Sequence, residues 1–319
     1  MPAHRKGFRM TATTLEPRAV STSAPALSIV IASVNGLVVL GPTLDSIDRL
    51  AERDRIEVIV VEPIGGSIRD HLRARRKAVV VIPLAEKRSI PRLRYLGVRR
   101  ARGDLIAILE DHAEVDPNWA SALAEAHRDP SLGAVGGAVE NGKGGLVNWA
   151  VFFCEYTAYM APVVEGAADD LPGNNIAYKR DHLLKHAHVL DEGKWESWIN
   201  DRLRADGVPI ASTNRAVVRH IKTFRLGYFL SQRFHFARSY AGMRRVDQSW
   251  AKRLIYGVGS MALPGLLLAR IARQAVGKRR NLGRFAACLP LIALFLTVGA
   301  AGEMIGYLIG PGRSLERVE

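Results

Sequence analysis

The feature that most constrains this fold is a short apolar run that ends in three polar side chains. Residues 105–109 are all apolar, and a Gly-Asp pair precedes them. A run of this length bounded by a turn signal is typical of a strand buried on both faces. Glu110, Asp111 and His112 follow at once, at the strand edge where open α/β sheets bind ligands. The alternative is an acidic loop that begins the helix near Trp119.

Strand and helix patterns alternate along the first two thirds of the chain. We predict strands at residues 27–33, 56–61, 78–82, 105–109, 133–139 and 210–218, and helices at residues 40–53, 89–102, 119–127 and 195–205. This alternation predicts a mostly parallel sheet that is covered by helices on both sides. The fold class is therefore α/β.

A series of polar motifs lies at the strand ends, in the loops and on the helices of this pattern. In chain order they are Ser33 with Asn35, Glu62 before a Gly-Gly-Ser turn, Arg94 before Tyr95, the Glu110–Asp111–His112 turn, a Gly-Asn-Asn segment at residues 173–175, and Trp195 with Glu196. Over residues 27 to 245 their order and spacing resemble the family 2 glycosyltransferases, which have a GT-A fold. Tyr95 replaces an Asn of the family pattern, and His112 replaces the last Asp of its DxD motif.

The resemblance implies that the chain binds a nucleotide-diphosphate sugar as its donor. It implies a donor site of Ser33, Asn35, Glu62, Arg94 and Asp111, with Glu62 contacting the nucleotide base. The nucleotide base, uracil or guanine, and the transferred sugar stay open.

A DxD motif acts through a divalent cation, Mn²⁺ or Mg²⁺, which bridges a carboxylate and the donor diphosphate. His112 is a reasonable ligand for Mn²⁺ and a poor one for Mg²⁺. Three assignments are open: Asp111 binds the metal, His112 binds it, or basic residues neutralise the phosphates. We expect a metal held by the turn at residues 110–112, with His220 at the end of the last strand either as a further ligand or as a structural residue.

Glycosyl transfer with inversion needs one carboxylate that removes the proton of the acceptor hydroxyl. Glu196 is the candidate by its place at the start of a helix, where a carboxylate also simply stabilises the helix dipole. Glu192 and Asp201 are competing candidates.

The acceptor side is expected at three further residues. Asn174 and Asn175 offer amide groups to sugar hydroxyls, although Asn in a Pro-Gly loop is also ordinary turn chemistry. Arg233 lies in a segment that only faintly resembles the Gln-x-x-Arg-Trp motif of processive family members, so no processivity is inferred.

The net charge of +14 and the pI near 10.2 indicate an anionic partner. Residues 1–25 are expected to be a disordered basic tail, and residues 26–223 the catalytic domain. Residues 224–253 mix Arg and Lys with aromatic residues, which favours a basic amphipathic helical segment at an anionic membrane surface. Nucleic acid is discounted because no nucleic-acid-binding module precedes this segment.

Residues 254–319 contain two apolar segments that predict membrane-associated helices. Residues 254–269 are short for a span, whereas residues 285–309 are long enough to cross. A basic loop between them favours a cytoplasmic location for the loop and for the catalytic domain, at the inner (cytoplasmic) membrane. Two buried helices of a soluble protein are the alternative.

We therefore expect an inverting glycosyltransferase that acts on a lipid-linked or polysaccharide acceptor at the cytoplasmic membrane face. Two alternatives stay open. A catalytically inactive membrane scaffold with this fold would explain His112. A GT-A-like nucleotidyltransferase would need a Gly-rich phosphate loop after the first strand, which the turn at residues 34–36 matches poorly.

Overall fold

The computed structural model describes residues 25–62, 67–75 and 79–318. Residues 1–24 of the expected basic tail lie outside these ranges, and so do Gly65 and Gly66 of the predicted second turn. The described residues form an α/β sheet with helices on both faces and a layer of long helices at the C-terminus. The predicted α/β class with GT-A-like architecture is confirmed.

The described part of the chain contains a nine-stranded sheet. Its strands, in chain order, are β1 Leu27–Ala32, β2 Ile56–Glu62, β3 Val79–Pro83, β4 Leu105–Glu110, β5 Ala113–Val115, β6 Ala134–Asn141, β7 Gly166–Ala167, β8 Asn175–Lys179 and β9 Ile210–His220. The spatial order is β3-β2-β1-β4-β8-β6-β9-β5, and β7 also pairs with β9.

The sheet is mixed. Strands β3, β2, β1 and β4 are parallel, as the alternating pattern predicts. Strand β8 runs antiparallel to both β4 and β6, while β6 and β9 are parallel to each other. The antiparallel part follows from the loop before Asn175, which brings the chain back into the sheet from its carboxyl edge. The carboxyl end of β4 therefore lies at an internal position of the sheet, next to this loop.

Helices cover the sheet and extend beyond it. Their bounds are α1 Leu37–Asp48, α2 Ser67–Arg75, α3 Ile90–Arg100, α4 Trp119–Ala126, α5 Leu146–Tyr156, α6 Arg180–His186, α7 His188–Asp191, α8 Glu196–Ala205, α9 Leu226–Arg244, α10 Trp250–Gly259, α11 Leu263–Lys278 and α12 Leu282–Leu308. The predicted helices match α1, α3, α4 and α8, with shifted ends. Helix α1 ends earlier than expected because a 3₁₀ turn at Arg53–Arg55 leads into β2.

Alternate residues of the central strands belong to two apolar cores, one on each face of the sheet, as the two-residue period of a strand requires. Ile29 and Leu109 pack on one face against helices that include α1, α4, α5 and α12. Val30 and Ile108 pack on the other face against α3, α6, α7 and α8. Burying each of these large aliphatic side chains contributes about 1.5–3 kcal/mol, so the two cores fix where β4 ends.

Helix α12 packs lengthwise on α9 through glycines. A Cβ atom on Gly302 would lie 2.4 Å from the carbonyl oxygen of Phe234, and one on Gly306 would lie 2.5 Å from that of Arg238. Only glycine allows the two backbones to come this close. The predicted amphipathic segment thus contains a helix, α9, that is covered by α12 on one side and faces the α/β domain on the other.

Two C-terminal stretches are long and apolar enough to cross a membrane by length and composition. They are Trp250–Lys278, of which 17% of the apolar window is buried, and Leu282–Leu308, of which 44% is buried. The first stretch is not one continuous α-helix, because a 3₁₀ turn at Ser260–Ala262 joins α10 to α11.

Candidate active site

Sheet pairing brings two histidines that are distant in sequence into contact. Strand β5 pairs with the end of β9, so that Ala113 lies opposite His220, and the Ile221 amide donates to the His112 carbonyl oxygen at 2.8 Å. The two imidazole rings meet edge to face, with centroids 4.7 Å apart. Glu110 at the end of β4 completes the group, with its Oε2 3.1 Å from His112 Nε2. Ligand atoms of Glu110, His112 and His220 all lie within 4.8 Å of one another.

Asp111 is not one of these three residues; it holds the turn after β1 and contacts the other side of the His112 ring. Its Oδ2 accepts from the backbone amides of Val34 and Asn35, at 3.0 and 2.9 Å. Its Oδ1 accepts from Asn35 Nδ2 at 2.9 Å and lies 2.7 Å from His112 Nδ1. Since a carboxylate can only accept, His112 Nδ1 donates this bond, and Nε2 is left on the side of Glu110.

Burial and the close approach of charged groups shift the pKa values in this cluster. Burial alone would lower the pKa of His112, but the charge of Glu110 and hydrogen bonds to Asp111 and Glu110 raise it to about 9. Burial and the neighbouring charge of His112 lower the pKa of His220 to about 3. Burial would raise the pKa of Glu110, but His112 and Arg94 hold it well below its usual range. One positive charge therefore lies among carboxylates, beside a neutral imidazole.

Arg94 links this cluster to a second carboxylate. It is only 2% exposed, and its Nη1 donates to Glu196 Oε2 at 2.6 Å while its Nη2 lies 3.7 Å from Glu110 Oε1. Glu196 Oε1 is buried and has no hydrogen-bond partner among the described residues. A Cβ atom on Gly173 would lie 3.0 Å from Glu196 Oε2, so the glycine of the Gly-Asn-Asn segment makes room for this carboxylate.

Two cavities meet at this point. A small one of about 80 Å³ is lined by Asn35, Asp111, His112 and His220, and a larger one of about 330 Å³ by residues that include Asn174, Glu196 and Arg233. Five residues line both cavities: Ile90, Arg94, Glu110, Glu155 and Tyr156. The histidine cluster and the Glu196 carboxylate thus lie on two sides of one shared wall.

Two other residues expected to bind the donor do not line either cavity. Ser33 and Glu62 are buried at the ends of β1 and β2 and are not among the lining residues. Glu62 Oε1 accepts from the Ile68 amide in the first turn of α2, at 3.4 Å. Ser33 Oγ and Glu62 Oε2 have no hydrogen-bond partner among the described residues.

The two neighbouring asparagines have different environments. Asn175 donates from Nδ2 to the carbonyl oxygens of Ala138 and Ala216, both at 2.9 Å, and accepts from Trp119 Nε1 at 2.8 Å. These bonds fasten β8 to the irregular pairing of β6 and β9, so Asn175 acts in the fold. Asn174 is 2% exposed and lines the larger cavity, and neither of its amide atoms has a partner in the described chain.

The competing base candidates lie at the surface. Glu192 is exposed and pairs with Lys194 at 2.7 Å, and Asp201 is exposed and pairs with Arg204. Neither residue lines the two cavities. Arg233 on α9 does line the larger cavity.

The sequence analysis missed several residues at the cavity walls. Lys222 lines the small cavity, and its Nζ donates to Tyr228 Oη at 2.8 Å. Tyr156 donates to Glu110 Oε2 at 3.4 Å. Its neighbour Glu155 lines both cavities. The one available signal for Lys222 was its place two residues after His220, a spacing that puts side chains on one side of an extended chain.

Comparisons with known proteins agree with this architecture. The family model of glycosyl transferase family 2 matches residues 28–184, so this part of the chain is similar to that family. No curated protein matches the chain by sequence.

Solved glycosyltransferase structures share the fold. The mannosyltransferase PcManGT from Pyrobaculum calidifontis, in complex with GDP-Man and Mn²⁺, has a TM-score of 0.58 and 17% identity, with 88% of each chain covered. GalNAc-T7 with UDP, GalNAc and Mn²⁺ has a TM-score of 0.51 and 16% identity, over 63% of this chain and 44% of that one.

Proposed function

We propose that the protein is an inverting glycosyltransferase that moves a sugar from a nucleotide-diphosphate donor to an acceptor hydroxyl, with a divalent cation at Glu110, His112 and His220. The observation that carries this proposal is the shared wall between the two cavities. Arg94 contacts a carboxylate of the histidine cluster on one side and the Glu196 carboxylate on the other. This arrangement suits a donor and an acceptor that meet at Arg94.

The residues present fit a transition-metal ion. Two imidazoles and one carboxylate converge, and this mixed nitrogen and oxygen set favours Mn²⁺ over Mg²⁺. Asp111 fixes the ring of His112 through Nδ1, as outer carboxylates commonly do for histidine ligands. Glu110 therefore takes the place of Asp111 in the proposed ligand set. The bound cation would neutralise charge on the donor diphosphate, and both similar structures named above contain Mn²⁺.

Glu196 is the proposed general base. Arg94 holds Oε2, so the unpartnered Oε1 is available to accept the proton of the acceptor hydroxyl. A carboxylate positioned in this way contributes about 10²–10⁴-fold to the rate of a proton transfer. Lys222, at the small cavity, would balance charge on the departing nucleotide diphosphate. Asn35 keeps its proposed donor role because it lines the same cavity.

The acceptor enters the larger cavity in this proposal. The unpartnered amide of Asn174 and the guanidinium of Arg233 offer hydrogen bonds to sugar hydroxyls or to a phosphate. The apolar helices behind α9 favour a lipid-linked acceptor or a growing polysaccharide, handled at the cytoplasmic face of an anionic inner membrane.

One structural observation weighs against nucleotidyl transfer. A phosphate loop offers free backbone amides to the nucleotide, but Asp111 accepts from the amides of Val34 and Asn35. An inactive scaffold would still bind nucleotide, so turnover separates it from an enzyme.

The test is a calorimetric titration of the full chain with UDP and with GDP, in Mn²⁺, in Mg²⁺ and without metal. We expect one nucleotide to bind in Mn²⁺, with binding weakened at least tenfold in Glu110→Gln, His112→Ala and His220→Ala. His188→Ala, an exposed histidine on α7, is the matched control and should bind as the wild type does. Absence of binding for both nucleotides in every metal would overturn the donor site.

A second measurement addresses turnover. Slow release of nucleotide diphosphate from the matching nucleotide sugar, lost in Glu196→Gln while nucleotide binding is kept, supports an enzyme. Nucleotide binding with no turnover on any nucleotide sugar or acceptor tried would favour the scaffold.

A further inference from the structure

Both ends of helix α12 are fastened to the catalytic domain. Near its start, Arg280 Nη1 donates to Glu140 Oε1 at 2.6 Å and to the Ala161 carbonyl oxygen at 2.8 Å. After its end, Leu315 lies against Gly193 of that domain, where a Cβ atom on the glycine would be 2.9 Å from Leu315 Cδ2. A helix of 27 residues is ~40 Å long. Had it crossed a bilayer core of about 30 Å, one end would lie far from this domain.

Helices α10 and α11 also run along the domain. Lys278 Nζ, at the end of α11, donates to the carbonyl oxygens of Ala158, Met160 and Pro162. At the other end, the junction of α10 and α11 shares a cavity of about 660 Å³ with Trp198 of α8. The stretch that contains α10 and α11 is thus held to the catalytic domain by Lys278 at one end and lies beside α8 at the other.

The outer side of these helices is an exposed apolar surface, which we call the outer face. Its most exposed large side chains are Trp250, Val258, Met261, Leu266 and Val276, each more than half exposed. Exposed apolar residues this dense on neighbouring turns mark an interaction site.

Charge identifies the partner of the outer face. Between Asp247 and Glu303 the sequence has eight Lys or Arg residues and no Asp or Glu. Arg270 and Arg273 are exposed on α11, four and seven residues after Leu266, so they lie on the same side of the helix. Long basic side chains among apolar ones are typical of a helix that lies in the headgroup region, with its charges reaching the lipid phosphates.

We propose that the outer face binds one leaflet of an anionic bilayer, with α10, α11 and α12 in the membrane plane and none of them crossing it. The proposal does not depend on sugar transfer. It replaces the sequence-based expectation that residues 285–309 cross, because that expectation counted apolar length without knowing that α12 packs on α5 and α9.

The first test is a topology measurement on the full chain in a bacterial host. Single cysteines replace Ser249, Arg279 and Arg313, which lie before α10, between α11 and α12, and after α12, in a background with Cys154→Ala and Cys288→Ala. We expect a membrane-impermeant maleimide to label none of them in intact spheroplasts and all of them in inverted membrane vesicles. Label on the Arg279 position alone in spheroplasts would indicate a two-span hairpin, and label on the Arg313 position alone a single span by α12. Either result would overturn the proposal.

The second test removes the outer face. The variant Val258→Glu with Leu266→Glu changes only exposed side chains, so folding should be kept. In a flotation assay with vesicles of phosphatidylglycerol and phosphatidylcholine, we expect at least a tenfold loss of vesicle-bound protein for this variant. High salt should weaken vesicle binding of the wild type. Val38→Glu, at an exposed valine of α1, is the control and should float normally. Unchanged flotation of the double variant, or conversion of a wild-type dimer to a monomer without loss of flotation, would contradict the proposal.

Discussion

Arg94 Nη1 lies 2.6 Å from Glu196 Oε2, and both side chains are almost completely buried. The pair joins α3 to the first turn of α8 at the wall between the two cavities. Burial alone would lower the pKa of Arg94, but the charges of Glu196 and Glu110 raise it above its ordinary value. Arg94 is therefore a fixed positive charge that orients one carboxylate on each side.

Removing the proposed base should affect turnover and leave the donor in place. We expect Glu196→Gln to lower kcat about 10²–10⁴-fold, because Gln cannot accept the acceptor proton. Nucleotide affinity, measured by calorimetry, should change less than threefold. Glu192→Gln, at the exposed carboxylate, serves as control. If Glu192→Gln lowered kcat as much as Glu196→Gln does, the assignment of Glu196 as the base would be wrong.

The Arg94–Glu196 pair should show strong coupling in stability. Arg94→Met leaves a buried carboxylate unpaired and is expected to cost about 3–5 kcal/mol of unfolding free energy. In the double variant Arg94→Met, Glu196→Gln the unpaired charge is gone, so part of this loss should return. Urea unfolding of the four proteins in detergent measures the cycle, and strictly additive losses would contradict direct pairing.

The neighbouring asparagines should separate binding from stability. Asn175→Ala removes three buried hydrogen bonds, and each group left unpaired costs about 1–3 kcal/mol. Asn174→Ala breaks no bond within the described chain, so we expect unchanged stability and an acceptor KM raised about tenfold, which is ~1.4 kcal/mol. Thermal unfolding measures the stability of both variants, and acceptor kinetics measure their KM. A loss of stability in Asn174→Ala would mean that this residue also stabilises the fold.

Metal preference should depend on His112. His112→Asp places a second carboxylate oxygen where an imidazole stands, and hard oxygen ligands suit Mg²⁺. We expect the ratio of nucleotide affinity in Mn²⁺ to that in Mg²⁺ to fall at least fivefold by calorimetry. A ratio that stays at the wild-type value would remove His112 from the ligand set.

Glu57 should make stability depend on pH. It accepts from Ser28 Oγ at 2.7 Å and from Arg102 Nε at 2.8 Å. Burial alone would raise the pKa of Glu57, but these hydrogen bonds lower it below 4.5. A lowered folded-state pKa stabilises the fold above the unfolded pKa and stops doing so as the pH falls through the folded one. Glu57→Gln should therefore be less stable by about 1–2 kcal/mol at neutral pH, and the difference should shrink below pH ~4.5. A pH-independent difference in urea midpoints would contradict this account.

Strong local patterns carried the fold prediction. Strands β1, β2 and β4 are mainly apolar on both faces, and such runs favour strands that are buried between two layers of helices. The antiparallel entry of β8 could not be predicted in the same way, because it depends on where the loop before Asn175 returns to the sheet. The three residues of β5 are too few for any pattern, yet their pairing with β9 brings His112 to His220.

The position of the site could be predicted from the sequence, but the roles of its individual residues could not. The Glu110–Asp111–His112 turn lies at the expected strand end, but Asp111 holds the Asn35 turn and Glu110 joins the histidines. The turn after β4 brings Glu110 within 3.1 Å of His112, a geometry that no strand period in the sequence predicts. No sequence rule separates Asn174 from Asn175 either, because their roles depend on the irregular pairing near Gly137.

Helix α9 lies between the larger cavity and helix α12. Gln232, Arg233 and Phe236 line the larger cavity, while α12 lies so close behind that Gly302 has no room for a methyl group. A ligand in the cavity would contact α9 directly, and a bilayer on the outer face would reach α9 through α12, which packs on α9, α10 and α11. By thermodynamic linkage, if lipid binding changes the affinity for the acceptor by some factor, the acceptor changes the affinity for lipid by that same factor. Acceptor dissociation constants measured in detergent and in vesicles would then belong to one thermodynamic cycle, and their ratio would give the coupling free energy between the cavity and the outer face.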